Sequence, residues 1–573
     1  MNRPFGPSFQ GYSRASVRPD LLAGLTVWAV LVPESLAYAT IAGVPPVVGL
    51  YAAVPALLLY AVVGTSRHLV VSPMSATAAL SIGVVATVSS DPSTYVVLTA
   101  GLALATGLVA IAAGLLRLGF LASFISEPVL KGFIIGLALT IIIGQVPDLL
   151  GISKGSGNFF EKLGYILSHL DEVDPLTLTV GLVSLGLLLA LRRFLPLVPG
   201  SLVVALAGIG ITWLLHLDDH GLAIVGHIDA GLPEVGLPDV SGHFADLLGG
   251  AVGVMLVGFA EGLGAAKTYA AKDGYDIEPN RELLGLGAAN LGSGLASGMV
   301  VNGSLSKTAV NGSAGARSQV SGLTVAALAL LTLLFLTGLF EKLPEATLAA
   351  IVIAAVIELV DIESLRRLWR VTSGRVVKVY QLSARADFVA AFCALLGVLF
   401  LDTLPGLVIG IGASLILLIA RTSRPHVAPL VPVDADPDSP WVDVERNPDF
   451  TPVPGVLVVR VEAPLMFANA DDVRTRVREL ASEVAASPDG LHLVVLDGRT
   501  SPSIDVTAAG MLVQLRTDLR RMGAELVMAD NVGQVRDVLA VAEPDGEPPL
   551  YPTVAAALAA AREDPPQPFT GNG

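Results

Sequence analysis

Long apolar stretches separated by short polar connectors occupy roughly the first three quarters of the chain. A helix needs about 20 mostly apolar residues to cross the hydrocarbon core of a bilayer. Most of the stretches approach that length, and two shorter ones are predicted to be half-helices. The pattern predicts fourteen membrane spans, near residues 20–42, 45–64, 73–90, 94–116, 120–147, 175–195, 199–216, 246–268, 282–299, 304–316, 317–340, 346–361, 385–401 and 404–421.

Two of these stretches are interrupted in the same way. The first is VVSPMSATA from Val70 and the second is VVNGSLSKTA from Val300, with breaks at Pro73 and Gly303. Matched Pro or Gly interruptions in two halves of a membrane protein indicate a transporter binding site. A helix that begins inside the membrane has unpaired N–H groups and a positive dipole end there. Two such ends facing each other are predicted to form an anion site.

The charged connectors predict how the spans are oriented. Seven predicted spans precede the acidic segment 217–244 and seven follow it, so the second half enters the membrane inverted. Lys and Arg concentrate in alternate connectors, above all in 366–385, and such connectors face the cytoplasm. We therefore predict a multi-pass protein of the cell inner (plasma) membrane, with the N- and C-termini cytoplasmic.

The pattern changes near the C-terminal end. Residues 1–19 are predicted to be a cytoplasmic segment, 20–424 the transmembrane domain, and the Pro- and Asp-rich segment 425–454 a linker. Residues 455–563 alternate short apolar strands with amphipathic helices, which predicts a small α/β domain, and 564–573 are predicted to be disordered. The predicted strands are VLVVRV (456–461), LHLVVLDG (491–498) and AELVMAD (524–530).

The composition agrees with a membrane protein. Of 573 residues, 53% are hydrophobic and only 15% charged, against about 25% charged in soluble proteins. The formal net charge of -15 argues against a nucleic-acid partner. The single cysteine, Cys393, excludes an intrachain disulfide. Without a nucleophile–base set or metal-ligand spacing, we expect neither an enzyme nor a cofactor.

Two acids lie inside apolar stretches. Glu34 follows Pro33 in the first span, and Glu261 lies in VGFAEGLGAA of the eighth. A charge at the bilayer centre costs about 2.5–3.5 kcal/mol on insertion scales, so each acid pairs with a cation, lines a polar cavity or carries a proton. Glu34 and Glu261 are the predicted coupling-ion residues. Tyr38, one turn after Glu34, is a candidate for the cavity wall or for packing.

Lys307 occupies the first turn of the second half-helix, where a cation opposes the helix dipole. A bound anion, Glu34 or Glu261 would explain its presence. Hydroxyl groups near both half-helix starts are candidate ligands, although N-capping is an alternative role for each. The predicted substrate-binding residues are Ser75, Ala76, Thr77, Ser304, Leu305, Ser306, Lys307 and Tyr38.

Three motifs resemble those of the SulP (sulfate permease) family of anion transporters, and the resemblance covers nearly the whole chain. The family's first-span motif is VPQ followed by AYA, the third-span motif is GPxSATA, and the tenth-span motif is GSxSRTAVN. The C-terminal part resembles the STAS domain that follows such transporters. The matching residues here are Val32-Pro33-Glu34, Ala37-Tyr38-Ala39, Pro73, Ser75-Ala76-Thr77, Gly303 to Asn311, Ala314-Gly315-Ala316-Arg317 and Ala463 to Ala470.

The resemblance implies fourteen spans in a 7+7 inverted repeat. Spans 1–4 and 8–11 would form a core domain and spans 5–7 and 12–14 a gate domain, with substrate between the two half-helices. Movement of the core against the gate would give alternating access, and the protein would be a homodimer.

Departures from the family motifs bear on mechanism. Gln is common at the position of Glu34, and Arg at that of Lys307. An acid in the eighth span is similar to the coupling-ion position of cation-coupled members, which supports a coupling role for Glu261. Val506 occupies the serine position that is phosphorylated in anti-sigma antagonists, which indicates that this switch is absent, although Thr507 follows it.

These observations predict a secondary active transporter of a small inorganic or carboxylate anion, working by proton symport. An anion exchanger or a sodium-coupled bicarbonate transporter on the same fold is the nearest alternative. An anion channel, or a membrane-bound signalling protein that works through its STAS domain, is a rival from another class. The expected partners are the anion, a coupling proton or sodium ion, the lipid bilayer and a second copy of the chain.

Overall fold

The computed structural model divides the chain into two compact units, residues 1–414 and 415–573. The structure describes residues 6–9, 12–120, 126–155, 157–195, 198–228, 230–240, 242–357, 360, 363, 366, 383–401, 403–434, 439–542 and 548–563. The predicted disordered tail and most of the basic connector 366–385 lie outside the described residues.

The first unit is helical apart from two short strands. Six of its described helices are long and apolar enough to cross a membrane, and several shorter apolar helices accompany them. Helices are found where each of the fourteen spans is predicted, while the number that cross the membrane stays a prediction. The helices are α1 (Val17–Ile41), α2 (Val47–Val63), α3 (Ser75–Val88), α4 (Tyr95–Leu115), α5 (Glu127–Leu150), α6 (Phe159–Ser168), α7 (Pro175–Phe194), α8 (Gly200–Leu215), α9 (Phe244–Asp273), α10 (Pro279–Leu295), α11 (Leu305–Ser313), α12 (Val320–Leu331), α13 (Glu345–Ile357), α14 (Ser383–Leu401) and α15 (Thr403–Ser423).

The two interrupted stretches meet each other. Strand β1 (Val70–Ser72) pairs antiparallel with β2 (Asn302–Ser304), in a register that places Val71 opposite Gly303. Away from water, extended backbone must find partners within the protein, and this pairing provides them. Because the strands run in opposite directions, α3 and α11 leave the pair in opposite directions.

Gly303 is required by close packing. A Cβ atom at this position would lie 2.8 Å from the side chain of Leu69 and 3.0 Å from Cα of Gly262 in α9. Small residues also allow α4 and α10 to approach closely, because a Cβ on Gly107 would meet the backbone oxygen of Gly287 at 2.9 Å. Close approach through small residues is the usual way in which membrane helices associate.

The second unit contains a six-stranded sheet in the order β4-β3-β5-β6-β7-β8. Strands β5 to β8 pair parallel, with helices between them, and β3 joins β5 antiparallel. The elements are β3 (Val427–Pro432), β4 (Trp441–Asp443), β5 (Val456–Val461), α16 (Ala470–Ala485), β6 (Leu493–Asp497), α17 (Val506–Arg521), β7 (Glu525–Ala529), α18 (Gly533–Ala542), β8 (Leu550–Tyr551) and α19 (Val554–Glu563).

The three predicted strands of this α/β unit are found as β5, β6 and β7, each within two residues of the predicted ends. The sheet nevertheless begins before the predicted boundary at 455, because β3 and β4 lie within the segment 425–454 that is predicted to be a linker. Pro429 and Pro432 in β3 weaken its strand signal, since proline cannot donate to a sheet ladder.

Candidate functional site

The charged centre of the membrane unit is an ion pair between two of the predicted site residues. Nζ of Lys307, in the first turn of α11, lies 3.1 Å from Oε2 of Glu34 in the middle of α1. The two side chains are 1% and 9% exposed. Each charge is therefore buried but compensated, as a low-dielectric interior requires.

Two further contacts fix this pair. Nζ of Lys307 donates a hydrogen bond of 3.1 Å to the carbonyl oxygen of Pro73, and the hydroxyl of Tyr38 donates one of 3.2 Å to Oε2 of Glu34. The ammonium also lies 4.9 Å from the centroid of the Tyr38 ring, within the range of a cation–π contact. Lys307 thus joins the approach to α3, the start of α11 and the middle of α1.

The two half-helix starts differ in how their N–H groups are used. Ser304 is the N-cap of α11, because its hydroxyl accepts a hydrogen bond of 3.2 Å from the backbone N–H of Lys307. The hydroxyl of Ser306 lies 3.2 Å from that of Ser304. At α3 the N-cap is Met74, whose side chain makes no capping hydrogen bond. The first N–H groups of α3 therefore remain available to a ligand.

The remaining predicted substrate-binding residues have different exposures. Ser75, Ala76 and Thr77 are buried in the first turn of α3, and the hydroxyl of Thr77 donates to the carbonyl oxygen of Met74. Leu305 is 54% exposed at the first position of α11. The structure thus places all the predicted substrate-binding residues at or beside the two half-helix starts.

A cavity of about 330 Å³ reaches Glu34 and Ser306 from between helices α7, α8 and α13. Its lining also includes Arg192, in the last turn of α7, and Ser201 near the start of α8. Glu34 lines the cavity, whereas its partner Lys307 is not among the lining residues. An ion entering here would meet Glu34 and Ser306 before it met the ammonium group.

Glu261 lies apart from the ion pair. Its helix, α9, packs against β2, where Asn302 fits against Gly258 and Gly262. Oε2 of Glu261 is buried without a hydrogen-bond partner among the described residues, and so is Nδ2 of Asn302. Of the two acids that would explain Lys307, Glu34 is the one that pairs with it.

Two further buried acids, Asp20 and Glu282, are not predicted from the sequence. Asp20 accepts hydrogen bonds from the backbone N–H of Arg317, at 2.6 Å, and from the hydroxyl of Ser318, at 2.7 Å. Glu282 accepts from the hydroxyl of Tyr60 and the backbone N–H of Thr65, both at 2.7 Å. Both acids fix connectors next to the half-helices. Their position near helix ends resembles that of ordinary interfacial charges, so no sequence signal distinguishes them.

Comparison with known proteins matches residues 17–380 to the sulfate permease family. The chain belongs to this family. Residues 447–557 match the STAS domain, which confirms the predicted arrangement of a membrane domain followed by a STAS domain.

Several sulfate permease relatives match almost the whole chain. A probable sulfate transporter of Mycobacterium tuberculosis is 36% identical over 97% of both chains. Probable sulfate transporter 3.4 of Arabidopsis thaliana is 30% identical over 96% of this chain and 86% of its own. Family membership confirms that the protein is a membrane anion transporter and not an enzyme.

Solved structures show the same fold. The murine anion transporter Slc26a9 in an inward-facing state superimposes with a TM-score of 0.84 and 23% identity, over 97% of this chain and 93% of its own. The transmembrane domain of a cyanobacterial bicarbonate transporter, BicA, gives a TM-score of 0.60 and 25% identity, over 70% of this chain and 99% of its own. The predicted helical membrane fold with its C-terminal STAS domain is confirmed.

Proposed function

We propose that this member of the sulfate permease family carries a small inorganic or carboxylate anion into the cell together with a proton, by alternating access. The observation that carries the proposal is the buried ion pair of Lys307 and Glu34 at the half-helix starts. Ionised Glu34 neutralises the one cation found there among the described residues. Protonation of Glu34 breaks the ion pair and leaves the Lys307 charge for an anion.

Charge balance then couples the two ions. With Glu34 ionised and the site empty, the buried pair is neutral; with Glu34 protonated and a monovalent anion bound, the centre is neutral again. The mixed states bury an uncompensated charge, which is costly. Linkage makes the effect reciprocal, and a typical coupling of about 1–3 kcal/mol would change anion affinity about 5- to 150-fold.

The surroundings of the pair support movement between two domains. The cavity at Glu34 has one wall from α1 and α11, in the predicted core, and another from α7, α8 and α13, in the predicted gate. Its lining includes Arg192 in the last turn of α7, a helix end that the Lys and Arg distribution assigns to the cytoplasmic side. We propose that this cavity is the inward path, with both termini cytoplasmic, in a homodimer in the inner membrane.

Reconstitution of Glu34→Gln in proteoliposomes tests the coupling. The wild type should accumulate anion in response to an inward proton gradient, whereas Glu34→Gln should equilibrate anion without responding to the gradient. Glu261→Gln in the same assay tests the second predicted coupling residue: a variant that still responds to the gradient leaves the proton to Glu34, and one that does not respond assigns a coupling role to Glu261. Gradient-driven uptake by Glu34→Gln would exclude Glu34 as the proton carrier.

A sodium-coupled mechanism is the second candidate, favoured by the unpartnered Oε2 of Glu261 close to β2. Carboxylate and backbone oxygens are suitable ligands for a hard cation. Replacing sodium with an impermeant cation, at fixed pH, separates the two: uptake that stops identifies sodium as the coupling ion. Loading the vesicles with a counter-anion tests exchange, and a conductance far above carrier turnover would indicate a channel.

A further inference from the structure

A second polar cavity, of about 350 Å³, lies outside the transport site at the connectors that follow α2, α9 and α11. Three cations line it: Arg67, Lys272 and Arg317. The hydroxyl-bearing residues Tyr12 and Ser16 complete much of the wall. Each cation comes from a different connector or helix end, so their convergence depends on the fold.

Aromatic rings hold two of the cations in place. The guanidinium of Arg67 lies 4.8 Å from the ring centroid of Tyr275, and Nζ of Lys272 lies 4.6 Å from that of Tyr269. The hydroxyl of Tyr275 also accepts a 3.1 Å hydrogen bond from the backbone N–H of Arg67. Side chains held in this way lose less rotamer freedom when a ligand binds.

The residues that line the cavity carry more positive than negative charge. Asp273 is the one carboxylate on its wall, and that carboxylate lies 3.2 Å from Nε2 of His68. Within the described ranges, none of Arg67, Lys272 and Arg317 has a carboxylate oxygen within ion-pair distance. Asp20, which does not line the cavity, accepts hydrogen bonds from the Ser318 hydroxyl and from the backbone N–H of Arg317. Three cationic groups therefore face two nearby acids, Asp20 and Asp273, and the remaining positive charge favours an anion.

The role of Lys and Arg in setting membrane orientation does not by itself explain why these three cations line one cavity. Lys and Arg that set orientation need only reach the lipid headgroups near a helix end. Here the cations converge on one concave space with hydroxyl groups between them, the donor set that phosphate groups prefer.

We propose that this cavity binds a phosphate group, either of free phosphate or of a lipid headgroup. Arg67 lies three residues before β1, Arg317 lies just beyond α11, and Lys272 lies in the last turn of the helix that carries Glu261. A bound phosphate group would join these connectors. The site is separate from the Glu34–Lys307 pair, and its existence does not depend on proton coupling.

The connectors are already linked to each other by hydrogen bonds. Nδ2 of Asn311 donates to the carbonyl oxygen of His68 at 2.9 Å, and Nε2 of Gln319 donates to that of Leu69 at 2.9 Å. Nε2 of His68 lies 3.1 Å from the carbonyl oxygen of Ala316. A ligand bound in the cavity would therefore contact connectors that adjoin both half-helices.

The test uses the full chain, purified in detergent and stripped of lipid. Binding of inorganic phosphate is measured by calorimetry, and binding of phosphatidylglycerol, with phosphatidylcholine as the neutral comparison, by native mass spectrometry. Arg67→Gln and Lys272→Gln should each weaken binding about tenfold, the effect of losing one charge-assisted contact. Lys267→Gln, an exposed lysine of the same helix that does not line the cavity, is the matched control.

The results distinguish free phosphate from a lipid headgroup as the ligand of the cavity. Phosphate binding lost in Lys272→Gln but kept in the double variant Glu34→Gln/Lys307→Met, which removes both charges of the buried pair, identifies a site for free phosphate that is distinct from the transport site. Phosphatidylglycerol binding with the same variant pattern identifies a lipid headgroup. If Arg67→Gln fails to fold, Arg317→Gln replaces it, because the Arg317 side chain is exposed. Binding unchanged in the cavity variants, or no binding of either probe, overturns the proposal.

Discussion

Lys307 reaches across the two half-helix starts to Glu34, with its ammonium 3.1 Å from the carboxylate and 3.1 Å from the carbonyl oxygen of Pro73. One cation, carried by α11, thereby contacts groups of α1 and of the chain just before α3. Removing either charge should affect stability and transport differently. Stability depends on the intact ion pair, whereas transport depends on the state in which Glu34 is protonated and the Lys307 charge is left for an anion.

Lys307→Met should destabilise the protein by about 3–5 kcal/mol, because it leaves Glu34 buried without a counter-charge. Anion uptake should fall about 100-fold, since the site loses its buried cation. Thermal unfolding in detergent and uptake into proteoliposomes measure the two effects. The double variant Glu34→Gln/Lys307→Met should regain most of the stability but none of the uptake. A double variant as unstable as Lys307→Met would show that the two residues are not coupled.

Gly303→Ala should reduce uptake at least about tenfold. The added methyl group would lie 3.0 Å from Cα of Gly262 and 2.8 Å from Leu69, and overpacking of this kind costs about 1–3 kcal/mol. Because the backbone of α9 cannot retreat as a flexible side chain can, β2 must shift, and the start of α11 with it. Gly264→Ala in α9 serves as the control. An added Cβ at Gly264 would meet no atom within 4 Å, so this variant should retain uptake.

Arg192→Gln should raise KM for the anion about fivefold at low ionic strength and leave kcat unchanged. Arg192 lines the same cavity as Glu34, and a positive charge there raises the local concentration of anions. Salt screens such an effect, so the difference from wild type should shrink near 1 M salt. Arg193→Gln removes a neighbouring charge that does not line this cavity. Equal KM values for the two variants would assign the effect to surface charge in general.

Glu525→Gln should weaken the STAS domain at neutral pH. Burial alone would raise the pKa of the Glu525 carboxyl, but hydrogen bonds from Arg520, at 2.7 Å, and Arg516, at 2.8 Å, outweigh it and lower the pKa. A lowered pKa contributes stability above the unfolded-state value of about 4.3, which is lost as the pH falls through the folded-state pKa.

Hydrogen exchange of the β7 amides in the full chain measures this contribution. The opening free energy should be about 1 kcal/mol lower in Glu525→Gln at pH 7, and the difference should disappear as the pH falls through the folded-state pKa. Glu479→Gln, which breaks an exposed pair with Arg476 in the same domain, should change it little. A difference that persists in acid would contradict an ionic origin.

The features that sequence predicts best here are local. Pro73 directly follows β1 and cannot donate to a sheet ladder, and Ser304 is an N-cap residue type at the start of α11, so local sequence predicts the two half-helix starts. Strands β5, β6 and β7 carry strong apolar runs and were placed within two residues of their ends. The amphipathic helix α6 is not among the elements predicted from the sequence, although Asn158 and Glu161 form the capping box that marks its start.

The features that sequence does not predict depend on the rotation and depth of helices. Both Glu34 and Glu261 would explain Lys307 from the sequence, and only the packing of α1 against α11 decides that Glu34 is its partner. The hydrogen bonds of Asp20 and Glu282 join residues more than 200 positions apart. No local pattern encodes contacts over such separations.

The pairing of β1 with β2 has a consequence for biogenesis. Ser72 pairs with Asn302, which is synthesised 230 residues later. At about 5–20 residues per second, synthesis takes roughly 10 to 50 seconds to supply this partner. During that interval the first interrupted segment has backbone groups that hydrocarbon cannot satisfy. The nascent N-terminal half must therefore keep this segment near water or inside the insertion machinery, and its release into lipid has to follow emergence of the second half from the ribosome.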